Sequence, residues 1–247
     1  SDRELTVAVG QTEMVIDPEN MRDTWASDSA NITEGKVALE VYFLEDFLKS
    51  IGQEINNNLA YWGDSSSTDE TINLIDGIHV VLEELISDGE LTPVITPAHT
   101  QSTGTFGNIA QGTIFPNVEK VWKAFSVAQR ASTIYSYVSF DSFEKYAKSY
   151  RAEFGHECTY NKSDLEKTEI VVDGSGGKHI LCRASWMGTS NRIISVIPGA
   201  LRLGTDVQEF ASSLKIQEVG YQWIYLIKVV LGVDVVDTEA IKINNLH

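Results

Sequence analysis

VALEVYFLEDFLKSIGQEINNNLAYWGD, residues 37–64, carries the strongest periodic signal in the chain. Val41, Leu44, Leu48, Ile51, Ile55, Leu59 and Trp62 recur three or four residues apart, as one apolar stripe of a long amphipathic helix must. Phe43 and Phe47 fall off that stripe, so the helix is expected to bury a second face. Gly63 supplies the C-terminal stop, and Asp64-Ser65-Ser66-Ser67-Thr68-Asp69 reads as a polar loop. The expectation is a helix of roughly six to seven turns, about twice the usual length in globular proteins.

On the N-terminal side, Leu5, Val7 and Val9 alternate like a strand and lead into an irregular connection through Pro18 and Trp25. On the C-terminal side, residues 72–86 form a shorter apolar segment ending at Asp88-Gly89. Residues 92–112, with Pro93, Pro97, Gly104, Gly107 and Gly112, read as a long loop. Val118, Val121, Phe125 and Ala128 mark a helix entered through Pro116-Asn117, and residues 135–138 a buried strand. Asp141 and Glu144 have the spacing of a capping box opening a helix that runs to Gly155. The last third turns to short β-rich runs at residues 169–172, 178–182 and 192–197. Residues 207–214 have the pattern of a short helix. Residues 221–236 read as one long strand or two around Gly232, and residues 240–244 as a final strand. This is an α+β chain without internal repeats.

The 247 residues carry 19 Lys plus Arg against 35 Asp plus Glu, a net charge of −16. That balance excludes a basic face for gripping nucleic-acid phosphates, and an acidic membrane surface repels it. Apolar residues at 43% and charged residues at 22% are ordinary for a globular protein. Two cysteines, Cys158 and Cys182, are too few for a secreted disulfide framework and fit a reducing compartment. Residues 221–233, the most apolar run, are interrupted by Lys228 and too short for a spanning helix. The N-terminus lacks a signal-peptide pattern and an initiator Met.

Candidate chemistry is sparse. Gly63-Asp64-Ser65 and Asp76-Gly77-Ile78-His79 have the form of esterase nucleophile and histidine blocks, but they lie about a dozen residues apart and Ser65 follows a helix rather than a strand. A polar helix-ending loop accounts for them better. His156, Cys158, His179 and Cys182 offer four zinc-type ligands in an order that fits no standard finger, and Cys182 fits a buried strand position. Gly174-Ser175-Gly176-Gly177, before Lys178, follows a strand but precedes no helix, so a hairpin turn is expected rather than a phosphate loop. Glu45-Asp46 and Glu83-Glu84 are adjacent pairs that do not share a helix face, which makes solvated surface the default. Trp25, Trp62, Trp122, Trp186 and Trp223 are scattered. No residues are assigned as catalytic, cofactor-binding or metal-ligating.

The order of elements resembles the tailed-bacteriophage major capsid protein family, the Hong Kong 97-like fold that encapsulins share. The helix from about Val37 to Tyr61, closed by Gly63-Asp64 and a polar loop reaching Gly77-Ile78, resembles that family's spine helix. Residues 118–128 resemble the helix before a buried strand, Tyr137-Val138-Ser139 that strand's end, and residues 143–154 the next helix. Ile194-Ser195-Val196-Ile197-Pro198-Gly199, continuing through Leu201-Arg202-Leu203-Gly204-Thr205-Asp206, is similar to the strand leading to a Leu-x-x-Gly-Thr-Asp block. Residues 223–230 and 233–236, with Ile241 and Ile243, resemble the closing strands.

The resemblance spans roughly residues 36–247 and implies a long spine helix, a peripheral domain and an axial domain. Residues 36–64 and 208–247 are expected to form the peripheral domain and residues 65–207 the axial domain. Residues 1–35 are expected to be what remains of the N-terminal segment, with the arm and most of the extended loop missing. No Lys and Asn pair can be assigned to the cross-link some members form. The implied function is a non-enzymatic head subunit of a tailed phage or prophage that assembles into an icosahedral shell enclosing DNA. An encapsulin-type cage is the near alternative. A hydrolase built on Ser65 and His79, a zinc enzyme, and a binding module using residues 92–112 are alternatives of other classes. The implied partners are copies of the chain in hexamers and pentamers, together with portal, scaffold and decoration proteins. The implied location is the virion, after assembly in the host cytoplasm. An acidic inner wall lets packaged DNA slide rather than stick.

Overall fold

A computed structural model describes residues 5–17, 39–102, 112–161, 167–205, 214–220 and 222–247. The long helix is present as α1, Leu39–Glu54, continued directly by a π-helical turn, Ile55–Leu59. In that turn the Ala60 N–H donates to the Ile55 carbonyl at 2.8 Å, one residue further than an α-helix reaches. The extra residue turns the succeeding side chains about the helix axis by about 100°. Leu59 and Tyr61 enter the core, Tyr61 completely, and Trp62 stays half-buried against it. The apolar stripe placed Trp62 inside and passed over Tyr61, because a uniform helical period cannot register a π-turn. Phe47, Ile51 and Ile55 pack on the core, so a face beyond the stripe is used, and Leu48 on the stripe remains 37% exposed.

Two sheets organise the rest. In the first, the 14-residue strand β8, Gln222–Val235, is the common partner of three strands. It pairs antiparallel with β1, Ala8–Ile16, from Ala8↔Leu231 to Ile16↔Trp223. It also pairs with β6, Leu201–Thr205, and β7, Leu214–Val219. Residues 221–236 thus give one strand rather than two. The connection through Pro18 and Trp25, the loop glycines Gly104 and Gly107, and all but the last residue of the short helix expected over residues 207–214 lie outside the described residues; Leu214 opens a strand instead.

The second sheet has the order β3-β4-β2-β5-β9. Its strands are β2, Ile134–Val138; β3, Glu169–Val171; β4, His179–Arg183; β5, Ile194–Val196; and β9, Ile241–Ile243. Among these strands only β2 and β4 pair in parallel. The β3–β4 connection is the expected hairpin turn, with Gly174, Gly176 and Gly177 at φ of +77°, +62° and +80°. After passing from β1 in the first sheet to β2 in the second, the chain crosses between the sheets twice more. From β5 it passes through Pro198-Gly199 into β6, and from β8 it returns to β9. Thus β6 joins the first sheet and β9 the second.

Four further helices cover these sheets: α2, Ile78–Ser87; α3, Ile114–Lys123; α4, Val127–Arg130; and α5, Phe140–Phe154. Helix α3 starts two residues before Pro116, which sits in the first turn where its missing N–H costs no hydrogen bond. Helix α5 is capped by Ser139, whose Oγ accepts from the Ser142 N–H at 3.4 Å, and not by Asp141. Asp141 and Glu144 instead pair with Lys145 and Lys148 at 2.6 and 2.5 Å along the helix surface. Gly155 ends it at φ +73°. One apolar cluster joins α2, Tyr61, β5, β8 and β9, and a second joins α3, α5, β2 and β4. Among the described residues no helix is long and apolar enough to cross a membrane.

The joint between α1 and α2 depends on two glycines. The Gly77 N–H donates to the Gly63 carbonyl at 2.9 Å, Ile78 to Ala60 at 3.0 Å and His79 to Tyr61 at 3.0 Å. A Cβ on Gly77 would sit 2.6 Å from the Tyr61 carbonyl oxygen, and one on Gly63 2.5 Å from that of Ile75. Backbone cannot yield as a side chain can, so Gly77→Ala is expected to cost about 2–3 kcal/mol, as overpacked sites do. Gly52→Ala, on α1 with open space around its Cβ position, is expected to add roughly 0.5–1 kcal/mol. Denaturant midpoints of the two variants check both signs.

Candidate functional site

The hydrolase blocks do not converge. Asp76 Oδ1 accepts the Ser65 backbone N–H at 2.8 Å, and Asp64 Oδ1 accepts the Ser66 N–H and hydroxyl at 2.9 and 2.6 Å, which folds the polar loop onto itself. The Ser66 hydroxyl and N–H hold the Asp64 carboxyl below its ordinary pKa. No hydrogen bond joins Ser65 to His79 among the described residues. His79 on α2 faces Tyr61, Trp62 and His247 instead, at ring distances of 5.6, 5.2 and 5.7 Å.

The four zinc-type ligands are also kept apart. His156 is exposed, and its Nδ1 lies 3.0 Å from the Glu157 carbonyl. Cys158 is buried in the second apolar cluster, and burial pushes its thiol up to about 12. Cys182 lies within β4, opposite Glu169 of β3. His179 is fully buried, with Nε2 2.7 Å from Ser136 Oγ, and its ring stacks on Trp122.

A polar cluster that the sequence did not single out sits at the C-terminal end of the chain. Arg192 is among the largest fully buried side chains. Its Nη2 donates to Glu83 Oε1 at 2.6 Å and lies 2.9 Å from His247 Nδ1, while Nε donates to the Leu246 carbonyl at 3.0 Å. Glu83, read as solvated helix surface, is therefore a structural anion. His79, Glu83 and His247 place their ligand atoms within 4.8 Å of one another, close enough to hold a metal. The guanidinium already supplies the cation there, so the arrangement works as an ion pair. Burial and the Arg192 charge both lower the His79 pKa. Nearby, Trp62 and Trp186 gather on Tyr61 at 4.7 and 5.9 Å, two of the tryptophans that looked scattered.

Several large apolar side chains remain exposed on the first sheet. Along β1 the side chains alternate, with Ala8, Gly10, Thr12, Met14 and Ile16 turned toward the core. Val9 and Val15 point out, 54% and 50% exposed, beside Val230 and Ile224 in the register. Val7, Leu203, Ile216 and Val219, on or beside the same four-stranded sheet, are 47–62% exposed. Monomeric proteins seldom leave so many large apolar side chains on one sheet without a partner. Surface association, rather than a catalytic centre, is what this arrangement offers.

No protein-family model matches the sequence, and no curated protein is similar to it. Solved structures are similar in fold. The satellite phage P4 procapsid, with its size-determination protein, contains a chain matching 99% of this one over 72% of its own length, at TM-score 0.55 and 11% identity. The capsid of Myoviridae phage XM1 matches 97% over 73%, at TM-score 0.52 and 10% identity. The SrpI encapsulin complex of Synechococcus elongatus PCC 7942 matches 98% over 74%, at TM-score 0.50 and 9% identity. At these identities the likeness is one of fold.

Glu83→Ala strands a buried guanidinium and is expected to cost roughly 3 kcal/mol. Arg192→Met leaves a carboxylate that still reaches water, Glu83 being 39% exposed, and is expected to cost less than half as much. Urea denaturation of both variants tests this order. Burial holds His99 and His179 down at about 4, from an ordinary 6.5. Between those values the unfolded chain binds protons that the native chain refuses, so stability present above pH 6.5 falls as pH drops toward 4. The loss amounts to a few kcal/mol for each histidine, at about 1.4 kcal/mol per pH unit. His179→Gln is expected to flatten the pH dependence of the urea midpoint.

Proposed function

We propose that this chain, which has the Hong Kong 97-like capsid fold, is a head subunit that assembles with copies of itself into a closed icosahedral shell around phage DNA. The observation that carries the reading is the extent of the fold likeness, 97–99% of the chain against phage procapsid and capsid subunits. The exposed valines of β1 and the apolar residues of β6 and β7 supply the kind of surface that repeated contacts need. Each contact is modest, and closed symmetry multiplies it. The role is structural rather than catalytic, consistent with capsid-like neighbours.

In this reading α1 and the four-stranded sheet form the peripheral part of the subunit. The five-stranded sheet with α3 and α5 forms the axial part, which meets its copies around a symmetry axis in hexamers and pentamers. The net charge of −16 suits an inner wall that repels DNA. Portal, scaffold and decoration proteins are the expected partners, and the host cytoplasm the place of assembly. An encapsulin-type cage is the second reading, supported by the SrpI match at TM-score 0.50.

Negative-stain electron microscopy with light scattering, across protein concentration and salt, tests the proposal. Closed shells or ring-shaped capsomers are expected, and strictly monomeric behaviour throughout overturns it. Val9→Glu with Val15→Glu is expected to abolish assembly while shifting monomer stability by about 0.5 kcal/mol or less per site, as exposed positions do.

A further inference from the structure

A cavity of about 290 Å³ opens between α3, α5 and the β3–β4 turn, at the small end of the range that holds organic ligands. Its walls are aromatic. Phe115 meets Tyr146 edge to face with centroids 4.6 Å apart at 87°, and Tyr150 lies 4.7 Å from Phe154. Trp122 stacks parallel to His179 at 5.6 Å, and both line the same space.

The charged groups lining it are all acidic: Glu119, Glu153 and Asp173. Glu119 pairs with Lys123 at 2.5 Å on the helix surface. Glu153 and Asp173 have no cationic partner among the described residues. Glu153 accepts the Ser102 hydroxyl at 2.6 Å, and Asp173 accepts the Tyr150 hydroxyl. His179 lines the cavity as well. Its Nε2 faces Ser136 Oγ at 2.7 Å, and Ser136 Oγ faces Ser195 Oγ at 2.5 Å. The His179 Nδ1 and the Trp122 Nε1 are both buried without a partner among the described residues, an arrangement proteins seldom leave unsatisfied.

Aromatic faces attract positive charge, and carboxylates without a counter-cation have further lone pairs for charged N–H donors. Trp122 holds the Arg130 guanidinium over its ring at 5.1 Å, which leaves the Phe115, Tyr146, Tyr150 and Phe154 rings as the aromatic walls for an incoming cation. We propose that the cavity binds an alkylammonium or guanidinium group the size of a lysine or arginine side chain. The site uses neither β1 nor the apolar face of the first sheet.

The test follows the tryptophan indole N–H signals of the isotope-labelled chain by NMR during titration with N-acetyl-arginine methylamide, N-acetyl-lysine methylamide and spermidine. N-acetyl-norleucine methylamide is the neutral control. A saturable shift of the Trp122 signal at millimolar cation, with little response to norleucine, is expected. Tighter binding of the amino-acid amides identifies a protein side chain as the natural occupant, and tighter binding of spermidine a free polyamine; either supports the site. Glu153→Gln, which keeps the acceptor for Ser102, and Asp173→Asn, on the exposed turn, are each expected to weaken binding about tenfold. Equal binding of norleucine, no saturable shift while the indole signals remain those of a folded protein, or unchanged affinity in both variants overturns the proposal.

Discussion

Two chain crossings, hydrogen-bonded on either side of Ala200, hold the two sheets in one body. The Ile197 N–H donates to the Ala240 carbonyl at 2.9 Å, and the Val236 N–H to the Ala200 carbonyl at 2.8 Å. Through one crossing β5 leads into β6, and through the other β8 leads into β9, so each sheet receives a strand from a path that began in the other. The apolar core takes the same route: Ile194, Val196, Ile241 and Ile243 of one sheet share a cluster with Val229, Val233 and Val235 of the other. In the proposed shell this coupling matters, because an angular error within one copy would be repeated around every symmetry axis.

The elements legible in the sequence were those whose signal is local. The spine helix, the buried strand over Ile134–Val138, the glycine-rich hairpin turn and the long closing strand all arise from periodicity and turn chemistry. Elements that depend on tertiary pairing were not legible. β6 and β7 are short and carry mixed polar residues, and they are strands because β8 offers them its backbone. Ser139 outcompetes Asp141 as the cap of α5 because its position, and not its residue type alone, brings its oxygen to the Ser142 N–H.

The polar sites show the same division. Arg192 opens an apolar run, and nothing near it in sequence names Glu83 or His247, 109 and 55 residues away, as partners. A base in such a run requires a buried counter-charge, and that requirement is the only sequence clue to the cluster. His79 and Ser65 looked like parts of an esterase because short motifs carry no geometry. The structure gives His79 to an aromatic and ionic cluster and leaves Ser65 in an exposed loop. The exposed face of the first sheet was likewise invisible, since alternation along β1 says which residues share a face and not whether a partner covers it.

The pairing of the first strand with the last long one sets the order in which the chain can become native. Ala8 lies opposite Leu231, so every residue between them must leave the ribosome before β1 finds its neighbour. At about 5–20 residues per second, that wait is roughly 10 to 45 s. Through it β1 keeps an open edge bearing Val9 and Val15, the kind of edge that recruits other chains. Contacts this distant in sequence also form slowly once the partner has arrived. The nascent chain therefore holds an adhesive segment for longer than most domains of its size, and its demand for chaperone protection is set by topology rather than by stability.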